Sequence, residues 1–252
     1  MALTRRLLPL VAAFSFAIRA FAAEALPPIP DTVMPQGRSP GPPATIEERL
    51  AQFGPAVEGR LRHRFAAAGI AWPPRQLAFI AFKDIRRLQV FARDAPEDRW
   101  LYVKEYRVLG ASGTLGPKLM EGDRQVPEGI YAVDSLNPNS RYHLSIRINY
   151  PNDFDRAIAR RDGRDNLGGA IMIHGSRVSD GCLAMGDPAA EDLFVLAALT
   201  GERNVRVIIS PTDFRDPDTR VPTIVAPWLR ELYSGLRTAL QEFPSRPAPV
   251  RR

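Results

Sequence analysis

The chain has 252 residues, of which 45% are hydrophobic and 25% are charged, with a formal net charge of +6 and a single cysteine. This length is sufficient for one substantial hydrophobic core with extensions. The single cysteine excludes an intramolecular disulfide, and the absence of a dense block of lysine and arginine argues against a nucleic-acid-binding surface.

Residues 1–22 have the pattern of a secretory signal peptide. The basic pair Arg5-Arg6 precedes an apolar run from Leu7 to Ile18, and Ala20-Phe21-Ala22 fits a small-x-small cleavage site. The apolar run is shorter than the ~20 residues with which a helix spans a bilayer. We therefore expect an exported protein. The alternative is that the segment is not cleaved and anchors the protein to the membrane.

Residues 23–44 are too rich in proline for a helix or a strand and are interpreted as an extended linker. The following segment, 45–74, is predicted to contain a helix with a capping box formed by Thr45 and Glu48. Gly69 is a suitable end for this helix, and Pro55 is a point at which it could kink or split. Its apolar face is predicted to consist of Ile46, Leu50, Phe53, Val57, Leu61 and Phe65.

From Leu77 the apolar residues alternate with a period of two, which predicts strands. The first three are separated by short polar turns and should form an antiparallel meander. The segment from Gly110 to Gly129, with five glycines and two prolines, predicts a shaped loop, and residues 149–155 predict a turn-rich segment near the cleft. The predicted strands are 77–82, 87–92, 100–108, 130–133, 143–148, 170–174 and 205–209.

Two further helices are predicted towards the C-terminus. The first should have Asp187 as its N-cap and Pro188 as its first residue, and it should end at Gly201. The second should start at Pro227 and present one apolar side that packs on the sheet or on the first helix.

The predicted fold class is mainly β with flanking helices. Residues 75–210 are expected to form a β-rich catalytic domain, 211–243 a C-terminal helical extension, and 244–252 a disordered tail that is rich in proline and arginine.

The chemically most informative stretch follows the predicted strand 170–174. His174 and Gly175 end this strand, and Cys182, the only cysteine, follows His174 by eight positions. If the loop folds back, His174 can accept the proton of the Cys182 thiol, and the N–H groups of Gly181 and Cys182 can bind an oxyanion. The alternatives fit less well. A zinc site lacks a local pair of ligands, and a serine nucleophile at Ser176 or Ser179 lacks the strand–elbow–helix context.

These residues resemble the signature of the L,D-transpeptidase catalytic domain, the YkuD-type family of peptidoglycan-modifying enzymes. Further upstream motifs resemble one branch of that family, whose member detaches the outer-membrane lipoprotein from diaminopimelate in Gram-negative bacteria. The resemblance covers about residues 75 to 210 and implies a YkuD-like β-sandwich or β-rich domain. The motifs that carry it are His174-Gly175, Ser179-Asp180-Gly181-Cys182, Leu115-Gly116-Pro117-Lys118, Gly122-Asp123, Pro127-Glu128-Gly129, Asn137-Pro138-Asn139-Ser140 and Asn149-Tyr150-Pro151-Asn152.

The resemblance also implies roles for individual residues. Cys182 would be the nucleophile, His174 the base, and the carbonyl group of Gly175 would orient the imidazole. Gly181, Ser179 and Asp180 are expected to support the oxyanion region. The candidate substrate contacts are Lys118, Tyr142 and Arg177.

Two positions depart from the pattern of many family members. Asp180 stands where many transpeptidases have a second histidine, and Ala184 stands where many have an arginine. The basic residue that would steer a peptide carboxylate is therefore missing, which favours the hydrolytic branch over cross-linking.

We therefore expect a periplasmic cysteine enzyme that acts on amide bonds of peptidoglycan stem peptides through a diaminopimelyl acyl-enzyme. The first expectation is hydrolysis of the link between lipoprotein and peptidoglycan, and the alternative is transpeptidation that attaches lipoprotein or forms cross-links. A non-catalytic peptidoglycan-binding module is the alternative from another class. The expected partners are peptidoglycan and peptidoglycan-linked lipoprotein, and no metal, nucleotide or other cofactor is expected.

Overall fold

The computed structural model describes residues 43–220, 223 and 226–245. The predicted signal peptide, most of the predicted linker and most of the predicted C-terminal tail lie outside these residues. Among the helices of the described residues, none has the length and apolar character needed to cross a bilayer.

Helix α1 spans Ile46–Ala68 and has the predicted ends. The Thr45 hydroxyl accepts a hydrogen bond from the Glu48 amide, and the Glu48 carboxylate accepts one from the Thr45 amide at 2.8 Å. Gly69 ends the helix in the left-handed conformation. Pro55 lies inside α1 without splitting it, because the apolar face on either side of this residue is packed against the core.

The strands form one curled eight-stranded sheet in the order β3-β2-β1-β8-β4-β5-β6-β7. The first three form the predicted antiparallel meander, and β8 runs parallel to β1 in the centre of the sheet. The prediction of a mainly β fold with flanking helices is therefore confirmed. The strands are β1 (Gln76–Phe82), β2 (Arg87–Arg93), β3 (Leu101–Arg107), β4 (Gly129–Ser140), β5 (His143–Ile148), β6 (Met172–His174), β7 (Leu183–Ala184) and β8 (Val205–Ser210).

Three more helices complete the described fold, namely α2 (Asp153–Arg161), α3 (Asp187–Thr200) and α4 (Trp228–Leu240). Helix α2 corrects the prediction of a turn-rich segment at 149–155, because Asn152 and Asp155 form a capping box that starts a helix. The prediction that Asp187 caps α3 is also wrong. Gly186 occupies the N-cap, and the Asp187 carboxylate instead accepts a hydrogen bond from the Ser176 amide at 2.7 Å.

The sheet is covered on both faces, which explains the continuous apolar run of β1. Leu77 and Phe79 pack in the same core cluster as α1 and α3. Ala78 and Ile80 point to the other face and pack in the cluster that contains the apolar side of α4. Helix α4 therefore packs on the sheet, which is the first of the two predicted arrangements.

The curl of the sheet brings its two ends together. Strand β4 pairs with β8 through Gly129–Ala132 and with β5 from Val133 onwards, with irregularities in register between Val133 and Ser135 and between Asn137 and Ser140. At the far end of the sheet, Gly110 forms an antiparallel bridge with Ala184 in β7. Gly110 follows β3, the strand at the opposite end of the sheet order, so the loop after β3 lies directly against β7.

A buried carboxylate on α3 connects three elements. The Asp192 side chain, 2% exposed, accepts hydrogen bonds from Arg60 of α1 at 2.9 Å, Lys104 of β3 at 3.0 Å and the Tyr106 hydroxyl at 2.8 Å. Since each donor comes from α1 or β3, this network fixes the positions of α1 and α3 relative to the edge of the sheet.

We expect Asp192→Ala to lower the free energy of unfolding by about 3 kcal/mol, because it leaves two cations and a hydroxyl without their shared buried acceptor. Urea unfolding followed by circular dichroism measures this change. Glu58→Ala, which removes the exposed partner of Arg62 on α1, is the control and should change stability by no more than about 0.5 kcal/mol. Equal effects of the two substitutions would contradict the structural role of Asp192.

Candidate active site

The pairing of β6 with β7 brings His174 and Cys182 to the same end of the sheet. The two short strands are parallel, with Ile173 opposite Leu183 and His174 opposite Ala184. Cys182 directly precedes Leu183, and its Sγ lies 3.8 Å from the carbonyl oxygen of Ala170, just before β6. His174 thus ends one of two neighbouring strands, and Cys182 directly precedes the other.

The imidazole of His174 is buried and held in one orientation. Its Nδ1 lies 2.6 Å from the carbonyl oxygen of Gly175, and the Tyr142 ring stacks on it with a centroid distance of 4.7 Å. Because a carbonyl oxygen only accepts, Nδ1 carries the proton and Nε2 has a free lone pair. Burial lowers the pKa of His174, although the hydrogen bond to Gly175 opposes this effect. The imidazole is therefore neutral at neutral pH and can accept a proton at Nε2.

Gly175 has no room for a side chain. A Cβ atom at this position would lie 2.5 Å from Oδ1 of Asp187 and 2.6 Å from the carbonyl oxygen of Tyr142. The close approach of these groups lets the chain turn directly after β6, and this turn directs the Gly175 carbonyl to the imidazole. The need for glycine here is consequently steric, and it serves the orientation of His174.

The thiol of Cys182 is partly buried, and its environment favours the protonated form. Burial raises the pKa of Cys182, the Met172 amide lowers it, the charge of Asp180 raises it and that of Lys118 lowers it. The thiol and the imidazole are thus both neutral at neutral pH. In this arrangement the proton leaves sulfur only when the thiol attacks a substrate, so the base must act during the attack.

A chain of hydrogen bonds fixes the backbone on both sides of Cys182. The Gly181 amide donates to Oγ of Ser112 at 2.6 Å, and Oγ of Ser179 donates to the Cys182 carbonyl at 2.6 Å. The two hydroxyl oxygens are 3.3 Å apart, and the Ser112 amide also donates to Ser179. Since the Ser179 proton is directed to the carbonyl, the Ser112 hydroxyl donates to Ser179. Ser112 therefore fixes the Asp180–Gly181 peptide group before Cys182, and Ser179 fixes the Cys182 carbonyl.

The hydrogen bond of the Gly181 amide changes the expected oxyanion site. This N–H is already directed to Ser112, so the Cys182 amide is the better candidate donor to an oxyanion. Gly181 has a φ of 88°, a backbone conformation that side chains disfavour. A Cβ atom at this position would lie 3.4 Å from the carbonyl oxygen of Gln125.

The three residues predicted to contact the substrate lie in different environments. Lys118 is buried, and its Nζ donates to the Met120 carbonyl at 2.7 Å and to Asp123 at 2.6 Å, so it acts on Cys182 through its charge. Tyr142 covers the imidazole. Arg177 is exposed on the loop between β6 and Cys182.

The loop between Gly110 and Gly129 is held by a buried ion pair. Lys83, at the end of β1, lies 2.9 Å from Glu128 and also donates to the carbonyl oxygen of Gly116 at 2.6 Å. Glu128 accepts further hydrogen bonds from the Gly116 amide and from the Tyr233 hydroxyl of α4. The central sheet and α4 thus anchor the loop that carries Ser112 and Lys118.

A buried and oriented imidazole, a half-buried thiol and a backbone amide beside it are the groups that a cysteine acyl-transfer site requires. The comparisons with known proteins agree with this class. Residues 86–209 match the family model of the YkuD L,D-transpeptidase catalytic domain. This part of the chain therefore belongs to the YkuD family of L,D-transpeptidase catalytic domains.

The chain is 35% identical over 144 residues to a curated protein named "Putative L,D-transpeptidase YafK" from Escherichia coli K12, and the match covers 55% of each chain. The chain therefore spans about half the length of the curated relatives that it matches. Among solved structures, it is similar to the helical cell shape determining protein Pgp2 from Campylobacter jejuni, with 24% identity, a TM-score of 0.44 and coverage of 54% of this chain and 48% of that one. It is also similar to Bd1075 from Bdellovibrio bacteriovorus, with 22% identity, a TM-score of 0.40 and coverage of 56% and 50%.

We predict that the alkylation of Cys182 by iodoacetamide increases with pH in a single step whose midpoint lies above 9.0, the ordinary value for this thiol. The reason is that burial disfavours the thiolate. Cys182 is the only cysteine, so the rate measured by intact-protein mass spectrometry reports this site alone. A rate plateau between pH 6 and 8 that disappears in His174→Ala would show a preformed thiolate–imidazolium pair and contradict the prediction.

Proposed function

We propose that this protein is an exported cysteine enzyme that acts on amide bonds of peptidoglycan stem peptides and hydrolyses the link between lipoprotein and peptidoglycan. The observation that carries the proposal is the neutral, oriented imidazole of His174 on β6, which pairs with the strand that begins directly after Cys182. The YkuD family of residues 86–209 supports peptidoglycan as the substrate.

In the proposed reaction, Sγ of Cys182 attacks the carbonyl carbon of a diaminopimelyl amide while its proton moves to Nε2 of His174. The Cys182 amide binds the resulting oxyanion. The carbon–nitrogen bond then breaks, and the imidazolium gives its proton to the leaving amine. A water molecule then attacks the thioester and loses a proton to Nε2. The carbon–sulfur bond breaks, the proton on Nε2 returns to sulfur, and the acyl group leaves as a carboxylic acid that gives its remaining proton to solvent.

The positions of Ala184 and Asp180 support water as the acceptor. An amine acceptor must compete with water at roughly 55 M, which requires a site that holds it close to the thioester. Ala184 is buried between His174 and Gly110 in the sheet, so it offers no polar group to an acceptor. Asp180 is exposed and places a negative charge near the thiol. Transpeptidation remains the alternative outcome of the same acyl-enzyme.

We expect protein lacking residues 1–22 to release lipoprotein from sacculi and to leave tripeptides that end in diaminopimelate. Mass spectrometry of the digested sacculi identifies the products. Cys182→Ala should release nothing, and Cys182→Ser should be nearly inactive, because a hydroxyl is far less acidic than a thiol. New diaminopimelate–diaminopimelate cross-links as the main product would support transpeptidation, and full activity of either variant would exclude thiol catalysis.

We also expect Ser112→Ala to lower kcat about 10- to 100-fold, because it releases the Asp180–Gly181 peptide group and so loosens the backbone that positions the Cys182 amide. Alkylation by iodoacetamide, which forms no oxyanion, should change less than about twofold. Ser112→Thr retains the hydroxyl and should recover most of the lost activity. If Ser112→Ala lowers turnover and alkylation equally, Ser112 acts on the thiol rather than on the oxyanion-binding backbone.

A further inference from the structure

A second concave region lies beside the proposed catalytic site. This groove has a volume of about 550 Å³ and runs between α2 and the chain from residue 164 to 168. Three arginines and one aspartate are its charged lining residues, so the groove carries a net positive charge. The charged residues are Arg156, Arg160, Arg164 and Asp165.

Two of these arginines have no ion-pair partner in the part of the chain that the structure describes. Arg164 pairs with Asp162 at 3.0 Å and also donates to the Leu119 carbonyl. On α2 itself, Arg161 pairs with Glu231 of α4 at 3.4 Å. Arg156 and Arg160 are exposed, and no carboxylate among residues 43–220, 223 and 226–245 lies within ion-pair distance of either.

The spacing of this pair is unfavourable for the helix alone. Residues four apart in a helix lie on the same face, one turn from each other, and like charges at this spacing repel. Both guanidinium groups therefore present unneutralised charge to one groove. An anion with several carboxylates would neutralise this charge, and arginine binds carboxylates through paired hydrogen bonds.

The groove and the catalytic site share a wall. Gly168 lines the groove and lies two residues before Ala170, whose carbonyl is 3.8 Å from Sγ of Cys182. Two residues span at most about 7 Å. Hydrogen bonds hold the segment that leads from the groove to Ala170. The Glu121 amide donates to the Asn166 carbonyl at 3.0 Å, and the Tyr150 hydroxyl donates to the Leu167 carbonyl at 3.3 Å.

We propose that Arg156 and Arg160 bind carboxylate groups of the peptidoglycan stem peptide whose diaminopimelyl carbonyl reacts with Cys182. This inference rests on the proposed function and adds a recognition site to it. The groove supplies basic side chains in place of the arginine that many family members have at the position of Ala184. Asp165, the one acid in the lining, suits the ammonium group that diaminopimelate also carries.

The test measures binding of a stem tripeptide that ends in diaminopimelate to the Cys182→Ala protein by isothermal titration calorimetry. Adding Arg156→Gln and Arg160→Gln should weaken binding at least tenfold. The same tripeptide with its carboxylates converted to carboxamides should bind equally to both proteins. The matched control is Arg161→Gln with Arg62→Gln, which removes the same charge from exposed ion pairs and should leave binding unchanged.

Equal affinity of the groove variant and the control for the free tripeptide would overturn the inference. Binding of phosphatidylglycerol vesicles is measured in the same way. The inference would also be overturned if Arg156→Gln and Arg160→Gln weakened binding to these vesicles but not to the tripeptide. A failure of the proposed function is separate, since it appears as intact sacculi after treatment with the protein that retains Cys182. If that protein cleaves sacculi, and the same protein with Cys182 retained and Arg156→Gln and Arg160→Gln added cleaves them with an unchanged KM, the groove inference alone fails.

Discussion

The backbone of Ala184 holds the three parts of the candidate catalytic site together. On one side it pairs with β6, which ends in His174. On the other side its amide and carbonyl groups bond to Gly110 at 2.8 and 3.1 Å, on the loop that carries Ser112. Cys182 lies two residues earlier in the chain, just before β7. A residue with a small side chain thus fixes the positions of the proposed base, the proposed nucleophile and the loop that carries Ser112.

This arrangement keeps the resting site free of charge at its reacting atoms. Burial opposes the imidazolium at His174 and the thiolate at Cys182, so a preformed ion pair would lose solvation that the site does not replace. The Gly175 carbonyl compensates by fixing the tautomer. Reactivity then depends on geometry, because the proton can move only when sulfur attacks. The rigid backbone around Cys182 is consistent with that requirement.

The sequence predicted those features that are encoded in neighbouring residues. The caps of α1 at Thr45 and Gly69, the meander of β1 to β3 and the start of α4 follow from local patterns, and the structure has them. Helix α2 was missed because Asn152 and Asp155 are as common in turns as in capping boxes. The partner of Asp187 could not be predicted, since its choice of Ser176 over its own helix depends on the fold of the loop.

Within the site, the limits of prediction lie in contacts between distant segments. Ser112 is 69 residues from Gly181 along the chain, and a serine in a glycine-rich loop carries no signal of this contact. The stacking of Tyr142 on His174 likewise depends on β5 lying beside β6. Sequence spacing predicted Cys182 and His174 as the candidate nucleophile and base, whereas the groups that surround them follow only from the sheet order.

The packing around Ala184 also explains why a steering cation would have to come from another element. A Cβ atom on Gly110 would lie 2.2 Å from the Arg177 carbonyl and 3.3 Å from the Ala184 side chain, so the loop after β3 lies in close contact with β7. A long basic side chain at position 184 would displace this loop, and with it Ser112. Helix α2 carries no part of that packing. Arg156 and Arg160 can therefore supply positive charge near the site without disturbing the backbone that orients Cys182.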